Sequence, residues 1–114
     1  MKKIAIATLG CKVNQFESAS FASSFVQAGC ELVPFSAGAD VYVINTCAVT
    51  GRAGQQSRQL IRRALKTNPG ARLVITGCYA QMAPQSILDL TEQPLCLVGN
   101  GNKHLVVASA LAAD

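Results

Sequence analysis

The sequence predicts an α/β fold: a three-layer α/β/α sandwich built on a largely parallel sheet of four or five strands, with the order 2-1-3-4-5 preferred. Three observations lead there. Short β-type runs alternate along the chain with segments of helical periodicity, and repeated βαβ units need right-handed crossovers that place helices on the sheet faces. The runs VYVIN at 41 to 45 and LVIT at 73 to 76 are unbroken in their apolarity, which marks strands covered on both sides. Half of the 114 residues are hydrophobic but only 5% are aromatic, so Ala, Val, Leu and Ile must fill the core, as in tightly layered α/β domains. That length supports one domain, residues 1–114, and not two.

Taken in order, KIAIAT at 3 to 8 is a first strand that ends at Leu9-Gly10. A helix opens within Lys12 to Asn14, with Asn14 as its cap and Glu17 completing a capping box. Phe16, Phe21 and Phe25 are expected on its inner face. Gly29 closes that helix, and Cys30 to Val33 is short enough to be only an edge strand before Pro34 interrupts it. Asp40 to Asn45 is a much stronger strand.

The longest helix runs from Arg52 to Lys66 and stops at Asn68-Pro69-Gly70. Its buried stripe is Ala53, Leu60, Ile61, Ala64 and Leu65. Arg58, Arg62 and Lys66 fall on another stripe with Arg63 beside it, a solvent-facing basic patch suited either to a polyanion or to a neighbouring domain. Arg72 to Thr76 is a strand, Pro84 starts a helix through Leu90, Leu95 to Val98 is a strand, and His104 to Ala113 is a terminal helix.

Composition excludes several classes of protein. The longest apolar runs are too short to span a bilayer. Lys2-Lys3 followed by IAIATLG lacks the cleavage site of a signal peptide, so the expectation is a cytoplasmic protein with no membrane partner. Five cysteines in a reducing compartment are not a disulfide framework, and the odd number would leave one unpaired. The net charge of +4 favours a polyanionic partner mildly.

The cysteines carry most of the chemistry. Cys11, Cys47 and Cys78 each follow the C-terminal end of a predicted strand within two or three residues, in IAIATLGC, VYVINTC and LVITGC. Parallel strands lie about 4.8 Å apart, so three neighbouring strand ends bring their thiols around one object. Open α/β sheets bind ligands at that edge. Soft thiolates suit an iron-sulfur cluster, zinc or copper(I), and three ligands without a nearby histidine leave one coordination position open. Iron-sulfur is favoured over zinc, because structural zinc takes four protein ligands. Gly10 and Gly77 allow close approach or positive φ beside their cysteines, and Thr46 can cap locally. Asn14, Asn45 and Tyr79 are candidates to line the site. Asn45 could equally end its strand, and Asn14 cap its helix. Cys30 and Cys96 lie within strands, where packing explains them better.

Together, TLGCKVNQFES, VINTCAVT, SRQLIRRALKTNPGARLVITGCYAQ and Gly99-Asn100 resemble the N-terminal domain of the radical S-adenosylmethionine methylthiotransferases, across essentially the whole chain. TLGCKVNQ and CAVTGRAGQQSRQLIRR are most similar to the branch that adds a methylthio group to C2 of threonylcarbamoyladenosine beside the tRNA anticodon. Other branches act on isopentenyladenosine in tRNA or on an aspartate of a ribosomal protein. The resemblance implies that Cys11, Cys47 and Cys78 hold an auxiliary 4Fe-4S cluster with one open iron. It also implies a following radical domain, whose CxxxCxxC loop holds a second 4Fe-4S cluster that cleaves S-adenosylmethionine, and then a C-terminal substrate-binding domain. No CxxxCxxC occurs here, so this segment is expected to be inactive alone and to work with the tRNA anticodon region and the remaining domains of a full-length enzyme. The rival is a non-catalytic nucleotide- or metal-binding α/β module. Its nucleotide form is disfavoured by the absence of GxGxxG after the first strand, and GNGNKH at 99 to 104 makes a poor phosphate cradle.

Overall fold

In the computed structural model, residues 2–9, 12–46, 51–82, 84–91, 95–99 and 105–111 are described. Among them the chain runs β1 (Lys3–Thr8), α1 (Lys12–Gln27), β2 (Glu31–Leu32), β3 (Val41–Thr46), α2 (Gly51–Thr67), β4 (Arg72–Gly77), α3 (Cys78–Met82), α4 (Pro84–Leu88), β5 (Cys96–Val98) and α5 (Val106–Leu111). The five strands form one sheet in the order β2-β1-β3-β4-β5, and every pairing is parallel. This is the predicted α/β/α sandwich in its five-stranded form.

Period-two alternation divides the strand residues between two cores. Ala5, Tyr42, Ile44, Leu73 and Ile75 pack against Ile61 and Ala64 of α2, Tyr79 and Ala80 of α3 and Ile87 of α4. On the opposite face, Ile4, Val41, Val43, Val74 and Val98 meet Phe21 and Phe25 of α1 and Val106 and Ala110 of α5. All six residues of β3 are buried, which is why its sequence shows no polar alternation. The edge strand β2 is exposed, and its two residues pair only with Lys3 and Ile4.

Helix α1 corrects two expectations. It begins at Lys12, so Asn14 lies inside its first turn and does not cap it. Phe16 points away from the sheet and is 78% exposed, whereas Phe21 and Phe25 are buried. At about 100° per residue, Phe16 stands roughly 140° around the helix from Phe21, while Phe25 is only about 40° away. The inner stripe is therefore Asn14, Ser18, Phe21 and Phe25, polar near the carboxyl edge of the sheet and aromatic further along. The helix closes in a Schellman motif: Cys30 N–H donates to Phe25 O at 3.0 Å and Gly29 N–H to Val26 O at 3.0 Å.

Helix α3 was not anticipated, because Cys78-Tyr79-Ala80-Gln81 read as the margin of a site. Helix α4 begins at Pro84 as expected, and its last turn continues through Asp89 N–H to Gln85 O and Leu90 N–H to Ile87 O. The terminal helix is described over Val106–Leu111, and His104 lies outside the described residues. No helix among the described residues is long and apolar enough to cross a membrane.

Candidate functional site at the carboxyl edge of the sheet

Strand register sets the geometry of the carboxyl edge. Thr8 pairs with Asn45, Asn45 with Thr76, and Thr46 with Gly77. The chain reaches Cys11 three residues after Thr8, Cys47 immediately after Thr46, and Cys78 immediately after Gly77 as the first residue of α3. The segments bearing the three cysteines thus leave three adjacent strands, β1, β3 and β4, at one edge. Cys11 and Cys47 lie outside the described residues, and for Cys78 only the backbone is described. Among the described residues no group of three or more His, Cys, Asp or Glu is placed to hold a metal ion.

The surroundings of this edge are built around close approach of backbone. Gly77 has φ +100°, and a Cβ there would lie 2.2 Å from Thr46 O and 2.7 Å from Thr46 N. Only glycine fits such a position. Thr46 Oγ1 donates to Thr76 O at 2.7 Å and accepts from Ala80 N–H at 3.2 Å. It therefore caps the first turn of α3 from the neighbouring strand, a cap made across the fold and not the local one expected of it. Thr76 Oγ1 repeats the pattern one strand further on, donating to Val98 O at 2.7 Å.

Asn14 and Asn45 act as braces. The two hydrogens of Asn14 Nδ2 reach Leu9 O at 2.8 Å and Thr46 O at 3.1 Å. One buried amide thereby ties together the chain segments that lead to Cys11 and Cys47. Asn45 Nδ2 donates to Asn14 O at 3.1 Å and Ser18 Oγ at 3.4 Å, and Thr8 Oγ1 donates to the same Ser18 hydroxyl at 2.7 Å. The Asn14 carbonyl can only accept, so it fixes which end of the Asn45 amide faces it. Asn45 Oδ1 is then fully buried and meets no donor among the described residues. An acceptor left this way costs about 1–3 kcal/mol, a cost accepted at functional edges more readily than in ordinary cores.

Tyr79 is buried in the α2 core, and its hydroxyl accepts from Arg58 Nη1 at 2.7 Å. The Arg58 guanidinium carbon stands 5.9 Å from the ring centroid, at the limit of cation–π reach, so the hydrogen bond is the main tie. Gly54 makes room for the ring: a Cβ there would come within 3.0 Å of Tyr79 Cε1. Gly54 is the fourth residue of α2, and a glycine within a helix, unfavourable by up to about 1 kcal/mol against Ala, was the sequence signal for this contact.

Arg58 is accordingly half-buried, while Arg62, Arg63 and Lys66 are exposed. Arg63 lies 6.0 Å over the ring of Phe35. Arg58→Ala should lower stability by about 1 kcal/mol, since it leaves the Tyr79 hydroxyl unpaired in the core. Arg62→Ala should stay within about 0.5 kcal/mol of the parent. Urea denaturation of the two variants checks the contrast, and equal midpoints would contradict it.

Sequence reasoning missed Ser18, Thr8 and an open groove of about 330 Å³ lined by Leu9, Gln56, Gln59, Leu60 and Arg63. Cys30 and Cys96 are free, half-buried, and packed against the core beneath α1 and α5; Cys96 opens β5, whereas Cys30 lies just before β2 in the closure of α1.

A parallel α/β domain with cysteine-bearing segments following the carboxyl ends of three adjacent strands defines the class: an open, parallel α/β sandwich, whose strand ends are where such sheets bind ligands. The chain belongs to the family described as "Uncharacterized protein family UPF0004", whose model matches residues 3–99. It aligns with the N-terminal portion of bacterial methylthiotransferases. It is 50% identical over 101 residues to threonylcarbamoyladenosine tRNA methylthiotransferase MtaB of Aquifex aeolicus, covering 89% of this chain and 24% of that protein. With MtaB of Bacillus subtilis it shares 49% over 88 residues, 77% of this chain and 20% of the relative. Ribosomal protein uS12 methylthiotransferase RimO of Trichodesmium erythraeum is 33% identical over 104 residues, 91% of this chain and 23% of the relative. The chain thus spans about a quarter of the length of these relatives, and is more similar to MtaB than to RimO.

Proposed function

We propose that this chain is the auxiliary 4Fe-4S domain at the N-terminus of a tRNA methylthiotransferase that modifies C2 of threonylcarbamoyladenosine next to the anticodon, with Cys11, Cys47 and Cys78 as the ligands. The observation that carries this reading is the register of the sheet, in which the cysteine-bearing segments leave β1, β3 and β4 side by side. The surroundings suit a bulky sulfur-bound group: Gly77 keeps the β3 and β4 ends close, Thr46 holds the start of α3, and Asn14 braces the exits of β1 and β3. When bound, the cluster would supply one iron with an open coordination position for exogenous sulfur. The protein's part is to present three thiolates from rigid strand ends and to keep their segments in register.

S-adenosylmethionine and a second 4Fe-4S cluster belong, on this proposal, to a radical domain outside the chain, and a C-terminal substrate domain completes the enzyme. The 114 residues alone are inactive. A cytoplasmic setting and the tRNA anticodon region as partner follow from the same reading. Helix α2 favours RNA over a ribosomal protein as substrate, because it carries Arg52, Arg58, Arg62, Arg63 and Lys66 and no acidic residue. Arg62, Arg63 and Lys66 face solvent, where cations add affinity for phosphates. Arg58 supports the patch from within by holding Tyr79.

Anaerobic reconstitution of the chain with iron and sulfide tests the proposal. About four irons and four sulfides per chain are expected, with the broad visible absorption of such a cluster. Stoichiometric zinc in place of iron, or undiminished iron in a variant lacking all three cysteines, would reject it.

A further inference from the structure

We propose that the groove between β1 and α2 holds the threonylcarbamoyl substituent of the target adenosine, an inference that rests on the reading of the substrate just given. Leu9 forms its end at the carboxyl edge of the sheet, two residues before Cys11, and Gln56, Gln59, Leu60 and Arg63 line it along α2. From Gln56 to Arg63 the helix rises roughly 10 Å, at about 1.5 Å per residue. The groove therefore leads from the strand-end site to a cation set back from it.

The chemistry of the lining matches that of the substituent group by group. A threonylcarbamoyl group carries a carboxylate, a hydroxyl, a ureido linkage and a methyl. Arg63 offers a planar fork of donors to a carboxylate. Its guanidinium carbon lies 6.0 Å from the ring centroid of Phe35, at the limit of cation–π reach, and Phe35 in turn packs edge-on against Tyr42 with ring centroids 5.0 Å apart. No acidic group among the described residues pairs with Arg63, and the side-chain amides of Gln56 and Gln59 make no hydrogen bond among them. Each amide supplies both donor and acceptor, as a ureido group and a hydroxyl require. Leu9 and Leu60 provide apolar surface for the methyl.

Size is sufficient for the substituent. Pockets for small ligands run from about 300 to 1,000 Å³, and about 330 Å³ is at the lower bound. Arg62 and Lys66 do not line the groove. Arg62 lies on the helix surface roughly 100° around from Arg63, where it meets a phosphate without reaching into the groove.

The test uses the full-length enzyme and two anticodon stem-loops that differ only in whether the adenosine carries the threonylcarbamoyl group. Arg63→Gln and, separately, Gln59→Glu are compared with the parent, with Arg63→Lys as the conservative variant. The expected result is that Arg63→Gln weakens binding of the modified stem-loop roughly tenfold or more, the loss of a charge-assisted hydrogen bond, and that Gln59→Glu does the same by setting a second carboxylate beside that of the substituent and within reach of Arg63. Binding of the unmodified stem-loop should hold, and Arg63→Lys should restore part of the difference. Equal weakening of both RNAs with a shallower salt dependence would make Arg63 a backbone contact and overturn the assignment. Unchanged preference for the modified RNA in both variants would overturn it as well. If the parent enzyme bound the two RNAs equally and transferred no methylthio group to the modified one, the substrate reading itself would fall, and the groove assignment with it.

Discussion

Replacing Cys11, Cys47 or Cys78 by Ala in the full-length enzyme is expected to abolish methylthio transfer, while Cys30→Ala and Cys96→Ala leave it intact. The two groups differ in position and not in residue type. The first three follow the ends of β1, β3 and β4, where, on the proposed function, each would supply one of only three thiolates to the cluster. Cys30 and Cys96 are half-buried on the flank of the core under α1 and α5. Trimming either removes little volume, and the cost should be on the order of 1 kcal/mol. Iron per chain should drop in each of the first three variants, and cleavage of S-adenosylmethionine, assigned to another domain, should persist. Full iron content and product formation in a Cys47 variant would show that the ligands have been misassigned. Selective loss of both in a Cys96 variant would do the same.

How much of this could be read in advance depended on which physical signal each residue left in the sequence. Strands β3 and β4 were plain because burial on both faces leaves unbroken apolar runs, and the weak Cys30-to-Val33 segment announced itself as an edge by its brevity. From these the strand order followed, and with it the convergence of three strand ends. Helix α1 was legible as a helix but not in orientation. Half of its inner stripe is polar, Asn14 and Ser18, and the apolar pattern mistakenly drew Phe16 inward. A polar residue facing a sheet edge looks the same in sequence as one facing water; only the acceptors Leu9 O and Thr46 O and the donor Asn45 Nδ2 distinguish them. The role of Arg58 was hidden for a similar reason. Its partner Tyr79 comes from a short helix 21 residues further on, and the one local trace of that contact was a glycine in the first turn of α2, Gly54. The groove along α2 could not be foreseen at all, since Leu9 joins Gln56, Gln59 and Arg63 only after the crossover is made.

Gly77→Ala should be among the most damaging single substitutions outside the cysteines. Two independent costs combine at this position. At φ +100° an L-residue is strained by about 1–2 kcal/mol through its own Cβ and backbone. The same Cβ would be driven to 2.2 Å from Thr46 O, a distance that no side-chain rotation relieves, because both atoms are set by backbone. Relief requires β4 to move away from β3 where Thr46 and Gly77 pair, and that movement weakens the Thr46 Oγ1 bonds to Thr76 O and Ala80 N–H. A total destabilisation of about 3–5 kcal/mol is expected, which is a large part of the stability of a domain this size. Thr46→Ser keeps the hydroxyl and should cost far less. Thr46→Ala removes the cap of α3 and should fall between, at about 1–2 kcal/mol. Urea denaturation of the four proteins orders them, and the same preparations can be reconstituted with iron and sulfide at a temperature where all remain folded. Because Cys47 and Cys78 directly follow Thr46 and Gly77, the Gly77→Ala protein should lose iron even when folded, whereas Thr46→Ser should retain it. A Gly77→Ala protein with parental stability and full iron content would mean that the close approach of β3 and β4 is dispensable, and that the strand ends do not set the geometry of the site.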